Sequence, residues 1–247
     1  MINSEDVCFV GNANQTNYID QFNEKIESLN SDFQFPYYVC SNEPKRITSC
    51  YDLLKVFDLE SLQSRCPETI HYENLKDGVK LRYYPSNVRR HIIHQAFQDG
   101  FKYVVWNDCD VRLHVSSSSF LKHLSSFEIN NVYTESAIWT HKQSGVGHQI
   151  PFNNCDKVLK HFGIEHLKYK LFVHDGPIAI YYFDDSMKEK YIYSWDTVTH
   201  YGYTNKFFME GHQSRPNVVY AFALSGAGLK YHKRGLFRVN HDKSIYY

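Results

Sequence analysis

The sequence predicts an α/β protein built on a mixed, mainly parallel sheet flanked by helices. Two observations carry this. Short apolar runs alternate with helix-period segments through the first half of the chain, an order that builds parallel strands joined by helical crossovers. Each run closes in a polar, turn-forming stretch such as Gly11-Asn12-Ala13-Asn14 or Ser41-Asn42-Glu43-Pro44. In such sheets ligands bind beyond the carboxyl ends of the strands.

The first strand is expected at residues 7–10, and Thr16 stands as a cap before a helix at 17–29. Residues 35–40 read as the second strand, and a helix is expected at 51–62. Pro85-Ser86-Asn87 opens a helix in which Val88, Ile92, Ile93, Ala96 and Phe97 share one face, and Asp99-Gly100 ends it. The strand 103–111 follows at once. The second half is less regular, with helices expected at 120–127, 156–162 and 187–199 and strands at 132–140 and 218–224. Between 171 and 181 two strand-like runs flank the polar bend His174-Asp175-Gly176-Pro177, a composition typical of turns.

At 247 residues the chain can bury one full core, and no Pro/Gly/Ser-rich linker divides it, so a single domain over 1–247 is expected, with a regular half 1–115 and a less regular half 116–247. Lys+Arg 27 balance Asp+Glu 27, which argues against wholesale coating of nucleic acid or of an anionic membrane. Aromatic residues make up 16% of the chain; most are expected in the core, and tyrosines in the second half are candidates for stacking on sugar-like ligands. The six cysteines are scattered without a C-x-x-C pair, which argues against a zinc site and for reduced thiols. No signal peptide is visible, and no apolar run approaches the roughly 20 residues that span a bilayer. A cytoplasmic location is the expectation, with the sequon Asn14-Gln15-Thr16 accidental.

The chemistry concentrates in Trp106-Asn107-Asp108-Cys109-Asp110. In an extended segment alternate side chains share a face, so Asp108 and Asp110 are expected to project together where the strand leaves the sheet. Two adjacent carboxylates repel each other unless a metal or a basic group offsets their charge. A divalent cation bridging them to a phosphorylated ligand is the sharper reading; a solvated turn after an edge strand is the plain one.

On these residues the chain resembles the glycosyltransferases of the GT-A fold. The features that carry the resemblance come in order: an opening strand with a polar loop, a helix holding Arg89 and Arg90, the Asp-x-Asp after Val104-Val105-Trp106, the bend at His174-Asp175-Gly176-Pro177, an acid at Glu210 and a late histidine at His241. The resemblance implies a nucleotide-sugar donor, a UDP- or GDP-sugar, whose diphosphate is held through Mn²⁺ or Mg²⁺, cations that choose carboxylate oxygens. It implies a metal set of Asp110, Asp108 and His241, with Asp108 also near the ribose. Lys243 would neutralise the departing phosphate, and Gly11, Asn12 and Arg89 would frame the nucleoside. Asp175 would hold sugar hydroxyls or the acceptor, and Glu210 would serve as general base with inversion at the anomeric carbon. The half 1–115 would then bind the nucleotide sugar and 116–247 the acceptor, a glycan or glycoconjugate, with a modified nucleic acid as a further option.

Several alternatives stay open at this point. Gly211 follows Glu210 where the family carries an acidic pair, so a retaining mechanism remains possible. His232 competes with His241 as ligand. Arg89 and Arg90 point in different directions on a helix, so one is expected to face the ligand and the other to be a solvated surface charge. A metal-dependent nucleotidyl or phosphoryl transferase and a non-catalytic carbohydrate-binding domain are the competing classes.

Overall fold

The structure, a computed structural model, describes residues 2–14, 16–64, 85–134, 137–140, 160–161, 163, 172–175, 178–204, 230–233, 238–239 and 244–246. Among them the chain forms β1 (Val7–Asn12), α1 (Thr16–Glu27), β2 (Tyr37–Ser41), β3 (Leu54–Asp58), α2 (Leu59–Ser64), α3 (Pro85–Gln98) and β4 (Tyr103–Asn107). It continues through β5 (Arg112–His114), α4 (Ser117–Leu124), β6 (Asn131–Thr134), β7 (Ala137–Thr140), β8 (Phe172–Asp175), β9 (Ile178–Tyr182) and α5 (Asp185–Thr204). Three short strands close the described chain: β10 (Lys230–Lys233), β11 (Arg238–Val239) and β12 (Ser244–Tyr246).

Seven of the described strands form one sheet in the order β10-β6-β9-β4-β1-β2-β3. β1 pairs in parallel with β2 and β4, β2 with β3 and β6 with β10, while β9 runs antiparallel between β4 and β6. This is the mixed, mainly parallel sheet expected from the sequence. Its parallel strands end on a common edge, the edge where β4 delivers Asp108.

Strand alternation assigns the two faces. Val7, Phe9, Tyr37, Val39, Tyr103, Val105, Ile178 and Ile180 enter a core shared with Phe22, Ile26, Phe33 and Phe120. The Phe9 ring meets Phe33 at 5.0 Å and Phe120 at 5.6 Å between centroids, contacts that contribute about 0.5–1.5 kcal/mol each beyond area burial. The alternate residues Cys8, Val10, Val104, Trp106, Ala179 and Tyr181 are buried as well. On that side α3 packs on β1, β2 and β4 and against α5, and Tyr181 meets Tyr191 of α5 at 5.7 Å. Burial on both faces is why these strands read as nearly continuous apolar runs.

Several elements depart from expectation. The helix expected at 51–62 is instead β3 followed by α2, because residues 54–58 carry a period-two pattern. Leu54 and Val56 pack against the core, while Lys55 and Phe57 lie over Tyr38 on the other face, at 4.9 Å and 5.0 Å. Pairing with β2 in the register Tyr37↔Leu54 outweighs local helix preference. The strand expected at 132–140 divides into β6, in the main sheet, and β7, which pairs with β8 in a two-stranded sheet. The runs flanking the bend near residue 176 likewise belong to different sheets, as β8 and β9. α4 begins and ends three residues before the expected helix, and α5 starts at Asp185 because Asp184 caps it, accepting the Met187 N–H at 2.8 Å. Lys160 and His161 are helical; the rest of the helix expected at 156–162 and the whole strand expected at 218–224 lie outside the described residues.

Gly100, at φ 90°, ends α3 in a conformation that other residues rarely adopt. Cys8, Cys40, Cys50 and Cys109 are free thiols. Among the described residues, no helix is long and apolar enough to cross a membrane.

Candidate functional site

β4 stops at Asn107, and the Val111 N–H donates to the Asp108 carbonyl at 3.2 Å, which closes a turn over 108–111. The extended alternation expected to align Asp108 with Asp110 therefore does not reach Asp110. The turn brings the acids to either side of Cys109, which is 6% exposed and sits in the main core. Anchoring by Cys109 leaves both flanking carboxylates only partly covered.

Asp108 continues the face of Trp106. One carboxylate oxygen accepts the Trp106 indole N–H at 2.8 Å and an Arg89 N–H at 3.3 Å. The Arg89 guanidinium lies 4.1 Å from the centre of the Trp106 ring, so the indole both stacks on the cation and shares its anion. Surrounding protein pushes the Asp108 carboxyl above the usual carboxylate range, against the pull of Arg89 and the indole N–H. With 36% of that side chain still exposed, solvent damps the effect.

Arg90 is not the solvated charge expected of it. It is buried, and its guanidinium forms a two-point pair with Asp196 of α5 at 2.8 and 2.6 Å. α3 is covered by α5 on this side, so both adjacent arginines are enclosed and each takes its own carboxylate.

The opposite face of β4 carries Asn107, and here the site holds residues that were not singled out from the sequence. Lys25 of α1 donates to Tyr37 Oη at 2.6 Å and to the Asp108 carbonyl at 3.0 Å. Tyr37 in turn donates to Asn107 Oδ1 at 3.1 Å. All three side chains are buried. A signal existed: Lys25 stands three positions after Phe22 and one before Ile26, on the apolar stripe of its helix rather than on its solvent face. Gly11 lies against this group, since a Cβ there would meet the Asn107 carbonyl at 3.0 Å and Tyr37 Oη at 3.2 Å.

The exits of β1 and β2 run side by side beyond Gly11 and Asn12. The Ala13 N–H donates to the Cys40 carbonyl at 2.9 Å, and the Ser41 hydroxyl donates to the Ala13 carbonyl at 2.6 Å. The next residues along each exit, Asn14 and Asn42, bury their side-chain carbonyl oxygens with no hydrogen-bond partner among the described residues. Buried acceptors of this kind are uncommon.

Two further segments reach the same edge. β9 begins at Ile178, opposite Asn107, and so starts beside the acidic turn. β12 begins at Ser244, opposite Arg112 of β5, so the segment that follows Lys243 pairs just past Asp110. His232 lies elsewhere. It is in β10, three strands from β4, about 14 Å across the sheet. Glu210, His241 and Lys243 lie outside the described residues.

Among the described residues no cluster of three or more His, Cys, Asp or Glu side chains is present. Asp108 and Asp110, on either side of Cys109, carry hard carboxylate oxygens of the kind a divalent cation takes. One or two carboxylates completed by substrate phosphates is an arrangement that Mg²⁺-type ions accept, so the donor chemistry fits such an ion.

No protein-family model matches the chain, and no curated protein does. Solved structures share its fold. The bifunctional glycosyltransferase WbbM, in its apo form, aligns with a TM-score of 0.51 at 11% identity, over 96% of this chain and 40% of its own. The mannosyltransferase Ktr4p from S. cerevisiae aligns with a TM-score of 0.50 at 13% identity, over 93% of this chain and 68% of its own. This chain therefore spans less than half the length of the first. The likeness is one of fold, and it is the GT-A-like arrangement expected from the sequence.

Proposed function

We propose that this chain transfers a sugar from a nucleoside diphosphate to an acceptor hydroxyl, with a divalent cation, Mn²⁺ or Mg²⁺, at Asp108 and Asp110. The observation that carries the reading is the acidic turn at the carboxyl edge of a parallel sheet, flanked by Arg89 and by the paired exits of β1 and β2. A bound divalent cation supplies Lewis-acid neutralisation of the charge that develops on the departing nucleoside diphosphate.

The residues divide the remaining work. Arg89 fixes Asp108 and brings positive charge to the edge where the diphosphate would lie. Asn14 and Asn42 offer two buried acceptors to the N–H groups of a nucleobase. His241, rather than His232, is assigned as a third ligand and Lys243 to the leaving phosphate; the start of β12 opposite Arg112 supports this reading. Asp175, in the strand before the bend, is assigned to the hydroxyls of the sugar or acceptor. Glu210 is assigned as the general base. The acceptor is read as a glycan or glycoconjugate.

A panel of UDP- and GDP-sugars tested with Mn²⁺ measures this. One sugar is expected to raise the melting temperature and to be slowly hydrolysed to the nucleoside diphosphate, and Asp110→Ala should abolish both effects. Release of a nucleoside monophosphate would instead mark a nucleotidyl or phosphoryl transferase. Wild-type protein that binds neither Mn²⁺ nor a nucleoside diphosphate would overturn the enzyme reading.

A further inference from the structure

Beneath the acidic turn lies a cation that the transfer reaction as proposed does not use. Lys25 is 1% exposed, walled by the Phe22 and Tyr37 rings at 5.6 and 5.0 Å from its ammonium. Its donors go to neutral acceptors, Tyr37 Oη at 2.6 Å and the Asp108 carbonyl at 3.0 Å. That same carbonyl accepts the Val111 N–H that closes the turn. The lysine thus grips the atom on which the shape of the turn depends, and through Tyr37 it reaches Asn107, the last residue of β4.

A buried ammonium is a poor way to stabilise a core. Burial between two aromatic rings disfavours the charged form of Lys25. An apolar side chain of similar length would avoid that penalty altogether. What an apolar chain cannot do is hold the Asp108 carbonyl.

We propose that Lys25 is a positioning residue, which fixes the Asp108-Cys109-Asp110 turn so that both carboxylates meet one divalent cation. The proposal rests on the metal-dependent reading given above. It makes Lys25 and Tyr37 the hidden support of the exposed acids, in the way that outer hydrogen bonds orient ligands in metal sites.

Charge and geometry give opposite signs, which makes the proposal testable. If Lys25 acts only as a nearby positive charge, its removal favours a bound cation. If it positions the turn, its removal weakens binding. Binding of Mn²⁺ alone is measured through loss of the free-ion EPR signal in wild type, Lys25→Met, Tyr37→Phe and the core variant Val39→Ala. Lys25→Met is expected to bind Mn²⁺ roughly 10–100-fold more weakly, and Tyr37→Phe by a smaller factor in the same direction. Val39→Ala should lower the melting temperature without changing Mn²⁺ affinity, which separates positioning from stability. Folded Lys25→Met with equal or tighter Mn²⁺ binding overturns the proposal while leaving the enzyme reading intact. Should Lys25→Met fail to fold, unchanged affinity in Tyr37→Phe overturns it. Wild type that takes no Mn²⁺ removes the metal reading and this proposal together.

Discussion

Arg89 and Asp108 are joined at 3.3 Å through an oxygen that also accepts the Trp106 indole N–H, while the guanidinium stacks on that same indole. Helix α3 and strand β4 are therefore locked at the level where the sheet ends. Arg89 is 7% exposed and Asp108 36%, so the pair is neither a surface ion pair nor a fully buried one. Removing one partner of a buried pair costs about 3–5 kcal/mol, and an exposed pair contributes under about 1 kcal/mol.

Arg89→Met is accordingly expected to destabilise the protein by about 1–2 kcal/mol at pH 7. The pH dependence has a definite sign. Burial already raises the Asp108 carboxyl, and loss of Arg89 raises it further. A carboxyl raised in the folded state takes up a proton more readily than in the unfolded chain, so its penalty is present above the folded pKa and relieved below it. Urea unfolding should show a smaller loss at pH 4 than at pH 7, and equal losses at both would count against the assignment.

The second pair on α3 serves the fold. Arg90 and Asp196 are 5% and 22% exposed and meet at 2.6 Å, and Arg90 also donates to His94 Nδ1 at 3.2 Å. Arginine has no acceptor, so His94 offers its lone pair and is neutral. Arg90→Ala should cost about 3–5 kcal/mol, whereas Arg90→Met combined with Asp196→Leu should cost less than Arg90→Ala. Chemical denaturation of the single and double variants measures the coupling.

Burial, and then Arg90, pulls His91 down to about 3 and His94 down to about 4. Unfolded histidines titrate near about 6.5, so the unfolded chain takes up protons that the folded one refuses. Stability should fall as pH drops from about 6.5 toward 4. His94→Phe should flatten this part of the melting profile, and an unchanged slope would show that His94 does not contribute to it.

Asp99, directly after α3, gathers Tyr38 at 2.7 Å, Lys55 at 3.2 Å and Gln95 at 2.8 Å. Burial acts to raise its carboxyl, but these three donors outweigh it, and the net shift is downward. A depressed folded pKa contributes stability that is present above the unfolded value and lost as pH falls through the folded one. Asp99→Asn should cost about 1–2 kcal/mol at pH 7, and the difference from wild type should shrink as pH falls below the ordinary carboxylate range. Urea titrations across that range provide the check.

The acidic turn was legible in the sequence because a run of five buried residues, 103–107, announces a central strand and the acids end it. The Arg89 contact was legible as a charge on the helix that precedes the strand. Lys25 was not, because a lysine on a short amphipathic helix ordinarily lies in solvent, and only the cross-strand position of Tyr37 and the turn carbonyl give it partners. Arg90 was misread for the same reason, as its partner Asp196 stands 106 residues away. β3 was hidden by its composition, since Lys55 and Asp58 interrupt its apolar residues and its period-two pattern becomes decisive only when β2 is present to pair with it.

Gly11 is legible as a loop glycine, yet the constraint on it comes from packing. A methyl group added there would lie 3.0 Å from the Asn107 carbonyl, an atom of the neighbouring strand that cannot swing aside. It would also lie 3.2 Å from Tyr37 Oη, which Lys25 and Asn107 already hold. Gly11→Ala must therefore push β1 away from β4 beside the acidic turn, at an expected cost of about 1–3 kcal/mol. If the backbone contact decides, Tyr37→Phe will not relieve the strain, and Gly11→Ala will cost as much in the Tyr37→Phe background as in wild type. Urea unfolding of the four proteins measures this, and a clearly smaller cost in the Tyr37→Phe background would assign the obstacle to the hydroxyl instead.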